Sequence, residues 1–578
     1  MKNTHKKMML GNDAIALGVH DAGAQVATAY PGTPSTEITE AIAKFDNIYS
    51  EWSPNEKVAL EVAIGASIAG ARAVCSMKHV GLNVAADALF TVAYTGVNGG
   101  LVVCVADDPG MHSSQNEQDT RLIARAANVP VLEPCDSQEA YDYVRLAFDL
   151  SERYDTPIIV RLKTRLSHSQ SVVQTQEPVQ PVLKDYVRDI AKYVMMPGMA
   201  IKRHVIVEQR MNRMAQDAND MAINRIEKKG EVGVITSGTC YNYVKEALPE
   251  ASVLKLGLVH PLPKDLISQF AESVKKLYIV EELEPFFEEQ IKAMGISVVG
   301  KELFGIQGEI TANIVKAKIA GAPTDACCAS VQLPGRPPVL CAGCPHRAVF
   351  YTLNKLKLTV SGDIGCYTLG ALPPLNAMDT TICMGASIGM ALGMEKARGK
   401  EFGKRTVAVI GDSTFIHSGI TGLIDVVYNQ GNTTTIILDN SITGMTGHQQ
   451  NPATGKNIKG EPAPQLDLEA LCKAIGIQDI SIIDPFDMQA FEQGLKAALD
   501  YDGASVIIAQ RPCALLDKTK STPYHINEDC RNCKICMRLG CPAILSEEKS
   551  VRIDPTQCNG CDLCTKVCPF NAIERAGE

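Results

Sequence analysis

Short apolar runs of strand length (QVATAY, GGLVVCVAD, TPIIVRL) alternate with Ala- and Gly-rich stretches of helical spacing over residues 1–175. Strands that recur with helices between them predict a parallel α/β layer. Residues 176–230 break this rhythm. Pro178, Pro181 and Pro197 interrupt a Met- and charge-rich stretch, where the spacing of Met211, Met214, Ala215 and Ala218 predicts an amphipathic helix with core-packed methionines. The stretch EVGVITSGTCYNYVKEAL opens a second α/β unit, 231–329, as strand, Ser/Gly/Thr turn and helix. Such a turn can hold an anion at the helix N-terminus, and a purely structural turn accounts for the same residues. A third α/β unit covers 330–520. Residues 521–578 lack helical periodicity and are too few for a good apolar core, so they need a staple.

At 578 residues the chain has room for about four domains. Hydrophobic residues make up 46% and charged residues 21%, which suits globular units and argues against long disorder. A net charge of −9 disfavours a general nucleic-acid binder. No apolar run reaches the roughly 18–20 residues that span a bilayer, so no membrane association is expected. The opening MKNTHKKMMLGNDAIALG is basic like a signal peptide, but Asn12 and Asp13 interrupt its apolar part, so a cytoplasmic location is expected. Cysteine is the departure. Of 20 cysteines, eight fall between Cys530 and Cys568, and clustered thiolates in a reducing compartment bind metal more often than they form disulfides.

That tail reads Cys530-x2-Cys533-x2-Cys536-x4-Cys541-Pro542, then Cys558-x2-Cys561-x2-Cys564-x3-Cys568-Pro569. Three thiolates two residues apart let one loop wrap three corners of a cubane, and the distant fourth, before proline, serves the other cluster. Tetrahedral zinc sites use pairs of Cys-x2-Cys instead. The tail resembles bacterial two-cluster ferredoxins. The resemblance implies one 4Fe–4S cluster on Cys530, Cys533, Cys536 and Cys568, and another on Cys558, Cys561, Cys564 and Cys541. The x4 spacing before Cys541 departs from that pattern and widens one loop.

In TVAVIGDSTFIHSGITGLIDVVYNQGNTTTIILDNSITGMTG, Asp412 and Asn440 lie one βαβ unit apart, which puts both at the carboxyl ends of parallel strands. Carboxylate and amide oxygens are hard donors suited to Mg²⁺ on phosphate; an Asp turn and an Asn helix cap explain the same residues. The pattern resembles the thiamine diphosphate motif, Gly-Asp-Gly followed by a distant Asn. Ser413 in the third place is a departure shared with some 2-oxoacid:ferredoxin oxidoreductases. The resemblance implies that Asp412, Asn440 and the Ile442 carbonyl bind Mg²⁺. Gly411 and Ser413 then lie against the diphosphate, and Thr443 to Thr446 line the cofactor near its reacting carbon.

Near the start, Tyr30-Pro31-Gly32-Thr33-Pro34-Ser35-Thr36 closely matches the Tyr-Pro-x-Thr-Pro-Ser motif of that family's pyrimidine domain. Its prolines stiffen a loop from which the Thr33 hydroxyl can reach a 2-oxoacid. Glu61, in LEVAIGASIAGARAV, sits among small apolar residues and is expected to have few solvating neighbours; a helix-boundary acid is the plainer reading. The resemblance assigns Glu61 the activation of thiamine. The loop DDPGMHSSQNEQDTR resembles the family's substrate-facing loop, with His112, Ser113, Ser114 and Arg121 as candidates beside a plain solvated-loop reading. The pattern Cys341-x2-Cys344, Cys366 and Cys513 matches the family's ligands for a third, proximal 4Fe–4S cluster. Cys383 and Cys472 read as small buried apolar residues. His417 and His448 are candidates for proton movement or for structural hydrogen bonds.

The expected fold is therefore a multi-domain α/β thiamine diphosphate-binding architecture with a two-cluster ferredoxin-like domain. The order of the motifs, Cys-x-Gly-Cys-Pro-His-Arg, and the fused tail are similar to the α subunits of indolepyruvate ferredoxin oxidoreductases. The resemblance implies oxidative decarboxylation of an arylpyruvate with coenzyme A, ferredoxin as acceptor, and a separate smaller β subunit in a heterodimer or heterotetramer. Alternatives are another 2-oxoacid specificity, a non-oxidative thiamine decarboxylase and a non-catalytic electron-transfer subunit.

Overall fold

The computed structural model describes residues 6–322, 331, 335–516, 518, 521–547 and 550–575. The chain forms two compact units, Met1–Ser330 and Val331–Glu578. Strands are numbered in chain order. Unit 1 holds β1 (Val26–Ala29), β2 (Tyr49–Trp52), β3 (Ala73–Lys78), β4 (Leu101–Asp107), β5 (Val131–Leu132), β6 (Ile158–Lys163), β7 (Arg225–Glu227), β8 (Val232–Ser237), β9 (Ser252–Leu256), β10 (Leu258–His260) and β11 (Lys276–Val280). Unit 2 holds β12 (Thr359–Ser361), β13 (Thr406–Gly411), β14 (Thr434–Asp439), β15 (Asp479–Ile483) and β16 (Ser505–Gln510), besides short pairs in the tail.

The first sheet of unit 1 runs β10-β5-β6-β4-β3-β1-β2. It is parallel except where β10 pairs antiparallel with β5. Strands β3, β4 and β6 are buried along their whole length, as a sheet covered on both faces requires, so their residues do not alternate between apolar and polar. Asp107, Arg161 and Lys163 among them are buried with ion-pair partners. The second sheet runs β11-β8-β9-β7, with β7 antiparallel to β9.

Two features depart from the sequence reading. Arg225–Glu227, assigned to the helical linker, is a strand of the second sheet. Leu258–His260, assigned to the second unit, pairs into the first sheet. One apolar cluster joins Ala59, Leu89, Val103 and Val131 to Ile235, Leu254, Ile279 and Phe287. Periodicity reveals each strand but not which sheet receives it, and here the apolar face of one layer serves both. The linker's long helix, Pro197–Asp217, starts with proline at its first turn and buries Met211 and Met214.

Charge also welds unit 1. Arg161 reaches Asp107 and Glu133, each at 2.7 Å, and Lys163 reaches Glu133 at 3.0 Å and Glu282 at 2.9 Å. Arg121 pairs with Asp119 at 2.6 Å and Glu281 at 2.7 Å. All are buried. Residue Gly238, in the turn considered for an anion, faces this lattice: a Cβ there would meet the Glu133 carboxylate at 2.3 Å. The protein's own carboxylate fills that turn.

Unit 2 carries a parallel sheet, β12-β13-β14-β16-β15. Two short antiparallel pairs build the tail, Tyr524–Ile526 with Ile573–Arg575 and Ile544–Ser546 with Val551–Ile553. Its small core (Leu539, Ala543, Ile544, Leu563, Ile573) borrows Ala348 and Phe486 from the α/β part, and Lys566 donates to the Phe486 carbonyl at 2.8 Å. Among the described residues no helix is long and apolar enough to cross a membrane.

Candidate active site

Strand β13 ends at Gly411, and Asp412 opens the turn that follows. Strand β14 ends at Asp439, followed by Asn440. Because β13 and β14 are paired neighbours, both side chains stand at one carboxyl edge, where open α/β sheets receive ligands. Asp412 is 3% and Asn440 8% exposed. The Ile442 amide donates to Asn440 Oδ1 at 3.3 Å, and the Thr443 hydroxyl to Ser413 Oγ at 3.0 Å. Thr446 bonds with Gln449 at 2.5 Å. Asn451, which the sequence reading missed, donates to Asp412 Oδ2 at 3.4 Å and Thr443 Oγ1 at 3.3 Å. It lies eleven residues past Asn440 in a loop without a motif, so spacing offered no signal for it.

Burial, reinforced by neighbouring Asp439, pushes the Asp412 carboxyl up to about 7. Among the described residues no ion pair neutralises Asp412. A desolvated carboxylate beside a second one and two amide side chains is a hard-oxygen donor set, and it fits Mg²⁺ carrying a diphosphate. His417 hydrogen-bonds Ser418 at 2.6 Å, and His448 is held by its amide to the Thr443 carbonyl at 3.1 Å.

Four cysteines border this edge. The Cys513 amide donates to the Asn440 carbonyl at 2.9 Å, and a Cβ on Gly444 would lie 3.6 Å from Cys366 Sγ and 3.8 Å from Asn440 Nδ2. Cys344 interacts electrostatically with Cys341 and Cys366, and Cys366 with Cys341 and Cys513. Burial pushes Cys344 up to about 12 and Cys366 up to about 11. Thiols so protonated become good ligands once a metal displaces their protons. Cys472 is buried in the core, but Cys383 is exposed, unlike the packing residue expected there. It stands in a loop ahead of the Ala386–Arg398 helix rather than on an element's core face.

In the tail, Cys536 interacts with Cys568, Cys533 and Cys530, whereas Cys564 interacts with Cys561, Cys541 and Cys558. Two separate cavities follow this division, one lined by Cys530, Cys533, Cys536 and Cys568 and the other by Cys541, Cys558, Cys561 and Cys564. The fourth cysteine of each set comes from the other segment of sequence.

In unit 1 the β1–β3 neighbourhood is where strand order reverses, the crevice that binds ligands in such sheets. The loop with Thr33 leaves β1, and Lys78 ends β3. A Cβ on Gly32 would touch Lys78 Cβ at 3.0 Å, and one on Gly81 would meet Glu56 Oε1 at 2.5 Å. Lys78 donates to the Ser113 carbonyl at 2.6 Å, and the Ser113 hydroxyl donates to the Thr33 carbonyl at 3.4 Å. Burial brings the Lys78 ammonium down to about 8. Lys78 and Glu56 were missed because neither belongs to a recognisable motif; burial is their signal.

Glu61 differs from expectation. The helix Glu56–Ile68 buries Glu56, Ala59, Leu60, Ala63 and Ser67, so the core stripe passes one residue before Glu61. Its side chain is 45% exposed and paired with Lys57. The buried acid of this helix is Glu56, 4% exposed. Arg121 also departs: it is locked in the charge lattice and takes no part in the loop. Ser114 donates to Asp108 at 2.6 Å, and His112 lies 3.2 Å from Glu309.

Three stretches of the chain are similar to known families. Family models match residues 17–233 to the thiamine diphosphate-binding domain of pyruvate flavodoxin/ferredoxin oxidoreductases, 363–509 to the C-terminal thiamine pyrophosphate-binding domain of thiamine pyrophosphate enzymes, and 551–574 to a 4Fe–4S binding domain. Fold and site thus define a thiamine pyrophosphate-dependent, iron–sulfur oxidoreductase. Indolepyruvate oxidoreductase subunit IorA of Archaeoglobus fulgidus is 41% identical over 613 residues, covering 99% of this chain and 98% of that protein. Its counterpart in Pyrococcus abyssi is 42% identical over 635 residues, covering 100% and 98%. The chain belongs to this IorA family.

Proposed function

We propose that the chain is the thiamine diphosphate- and cluster-bearing subunit of an enzyme that oxidatively decarboxylates arylpyruvates, indolepyruvate above all, to the acyl-CoA and CO₂ with ferredoxin as acceptor. The observation that carries this reading is the Asn440–Cys513 hydrogen bond. It joins a residue of the diphosphate edge to a residue of a four-cysteine group, an arrangement that a decarboxylase without electron transfer would not need. End-to-end similarity to IorA proteins supports the arylpyruvate substrate and a smaller partner subunit.

Bound thiamine diphosphate would supply the carbon nucleophile and the temporary electron store that a 2-oxoacid needs in order to lose CO₂. Asp412, Asn440 and the Ile442 carbonyl would hold its Mg²⁺, with Gly411, Ser413, Thr443 and Asn451 along the diphosphate. Thr446 remains a candidate near the reacting end. The Glu56–Ile68 helix would supply the activating carboxylate, whose task needs a desolvated acid beside the substrate loop. Burial and the contact through Gly81 favour Glu56, and motif resemblance favours Glu61. Lys78 and Thr33 would hold the substrate carboxylate. Cys341, Cys344, Cys366 and Cys513 would carry a proximal 4Fe–4S cluster, and the two tail sets one each.

Anaerobic incubation of the purified protein, loaded with thiamine diphosphate and Mg²⁺, with a panel of 2-oxoacids tests the reading. Bleaching of the visible iron–sulfur absorbance, strongest with arylpyruvates, is expected. Aldehyde release with unchanged clusters would reject it. Iron near twelve atoms per chain is expected for three cubanes, and a value near eight would remove the proximal one.

A further inference from the structure

Arg347 is a buried guanidinium with unusual neighbours. It is 2% exposed. Among the described residues, its hydrogen bonds all end on backbone carbonyls: Cys341 at 2.9 Å, Leu539 at 3.0 Å, Gly540 and Leu340. Two of these carbonyls belong to the loop that carries Cys341 and Cys344, and two belong to the turn just before Cys541. The side chain therefore bridges two cysteine groups that are almost two hundred residues apart in sequence. The charges it feels are sulfurs from both groups, Cys541 and Cys561 on one side and Cys344 and Cys341 on the other. It lines the cavity formed by Cys541, Cys558, Cys561 and Cys564, and not the cavity formed by the other tail set.

The surrounding contacts hold the two groups at this junction. Asn559 donates to the Ala342 carbonyl at 3.2 Å, and a Cβ on Gly343 would overlap the Asn559 amide at 2.1 Å, so the Cys341–Cys344 loop is pressed onto the Cys558–Cys561 loop. Gly540, at φ 65°, lets the backbone pass Pro374 and Arg347, 3.0 and 3.2 Å from a would-be Cβ. A guanidinium cannot be discharged in a protein, so a full positive charge is fixed here, and among the described residues no carboxylate forms an ion pair with it. Burying such a charge costs several kcal/mol unless something anionic compensates. Carbonyls satisfy its N–H groups but not its charge. Cluster-bearing thiolate sets on both sides would.

We propose that Arg347 is a positioning residue for electron transfer: it couples the proximal cysteine group to the nearer of the two tail groups and sets the potentials of the clusters bound there. This rests on the three-cluster reading above. Each cubane gains a negative charge on reduction, and an adjacent fixed cation stabilises the reduced form, raising the potential. Electrons leaving the Asn440 edge would therefore be drawn first to the group on Cys541, Cys558, Cys561 and Cys564. The group on Cys530, Cys533, Cys536 and Cys568, remote from Arg347, would follow.

The test is an EPR-monitored redox titration of the iron-loaded protein, unaltered and as Arg347→Gln and Arg347→Lys. At a fixed ambient potential, Arg347→Gln should lower the reduced-to-oxidised ratio of both flanking clusters about tenfold, equivalent to about 59 mV for one electron. The Cys530 cluster should be unmoved, and Arg347→Lys, which keeps the charge, should stay near the unaltered values. Flanking potentials unchanged in Arg347→Gln, or a Lys variant shifted as far as Gln, would overturn the proposal. If the Gln variant fails to hold iron, the unaltered protein decides. Its two tail clusters, distinguished by Cys533→Ser, should reduce in the order Cys558 group first, and the reverse order would overturn the assignment. An iron count near eight in the unaltered protein would reject the proximal cluster itself. The tail cluster beside Arg347 would still report on its charge.

Discussion

The Cys513 amide donates to the Asn440 carbonyl at 2.9 Å, so the residue after β14 stands at the carboxyl edge it shares with Asp412 while its backbone anchors a cysteine after β16. Strands β14 and β16 are paired along six residues. Cys513→Ser should lower iron by about four atoms per chain under the three-cluster reading, while thiamine diphosphate still binds. Iron quantitation beside cofactor titration checks this.

Glu56→Gln should slow substrate-dependent cluster reduction by about 10²–10⁴-fold, the range of a lost general acid–base group. Glu61→Gln should change it less than about threefold, because that side chain is solvent-facing and paired on its own helix. Stopped-flow bleaching of both variants separates the two acids. The opposite ranking would return the role to Glu61.

Lys78→Ala should raise KM for arylpyruvates by about 10- to 100-fold, as expected for loss of a charge-assisted hydrogen bond of about 1.5–3 kcal/mol. Iron content should not change. Steady-state kinetics with ferredoxin or a dye acceptor reads the split, and an effect on kcat alone would argue against carboxylate binding.

Arg161→Ala should cost about 3–5 kcal/mol, since it strands Asp107 and Glu133 without their buried cation. The same lattice sets an acid limit. Burial raises Glu133 and Asp119, yet Arg161 with Lys163, and Arg121 with Arg161, hold them below the ordinary carboxylate range. The unfolded chain therefore takes up protons first as pH falls, so this stabilisation is complete above about pH 4.5 and is lost below it. Thermal melts between pH 7 and 3 should show a steep loss below that point, reduced in the Arg161 variant.

Much of this site could be read from sequence because its chemistry is local. Three thiolates two residues apart, or an Asp and an Asn one βαβ unit apart, fix geometry within a loop or a strand pair. Glu56, Lys78 and Asn451 were not legible, and Arg347 was visible only as the last residue of the Cys-x-Gly-Cys-Pro-His-Arg stretch. Each acts through burial or through contacts across long stretches of chain: Lys78 meets the Thr33 loop and Glu56 meets Gly81 only once separate strand ends converge. Glu61 was favoured by motif resemblance, which carries no burial; its small neighbours suggested few solvating groups, but the helix turns that residue off the core stripe. Membership of strands in sheets was likewise hidden, since Arg225–Glu227 and Leu258–His260 join partners that no periodicity names.

Strand β10 also acts as a seal. By lying antiparallel on β5 it occupies the hydrogen-bonding border that Val131–Leu132 would otherwise present. The portion matched to the oxidoreductase domain stops at residue 233, before this strand. A fragment trimmed to that match would leave a bare rim and the uncovered apolar faces of Val103 and Val131, inviting strand-to-strand self-association. Fragments meant to retain the Thr33 loop in native form should therefore run past residue 298, where the shared apolar layer closes.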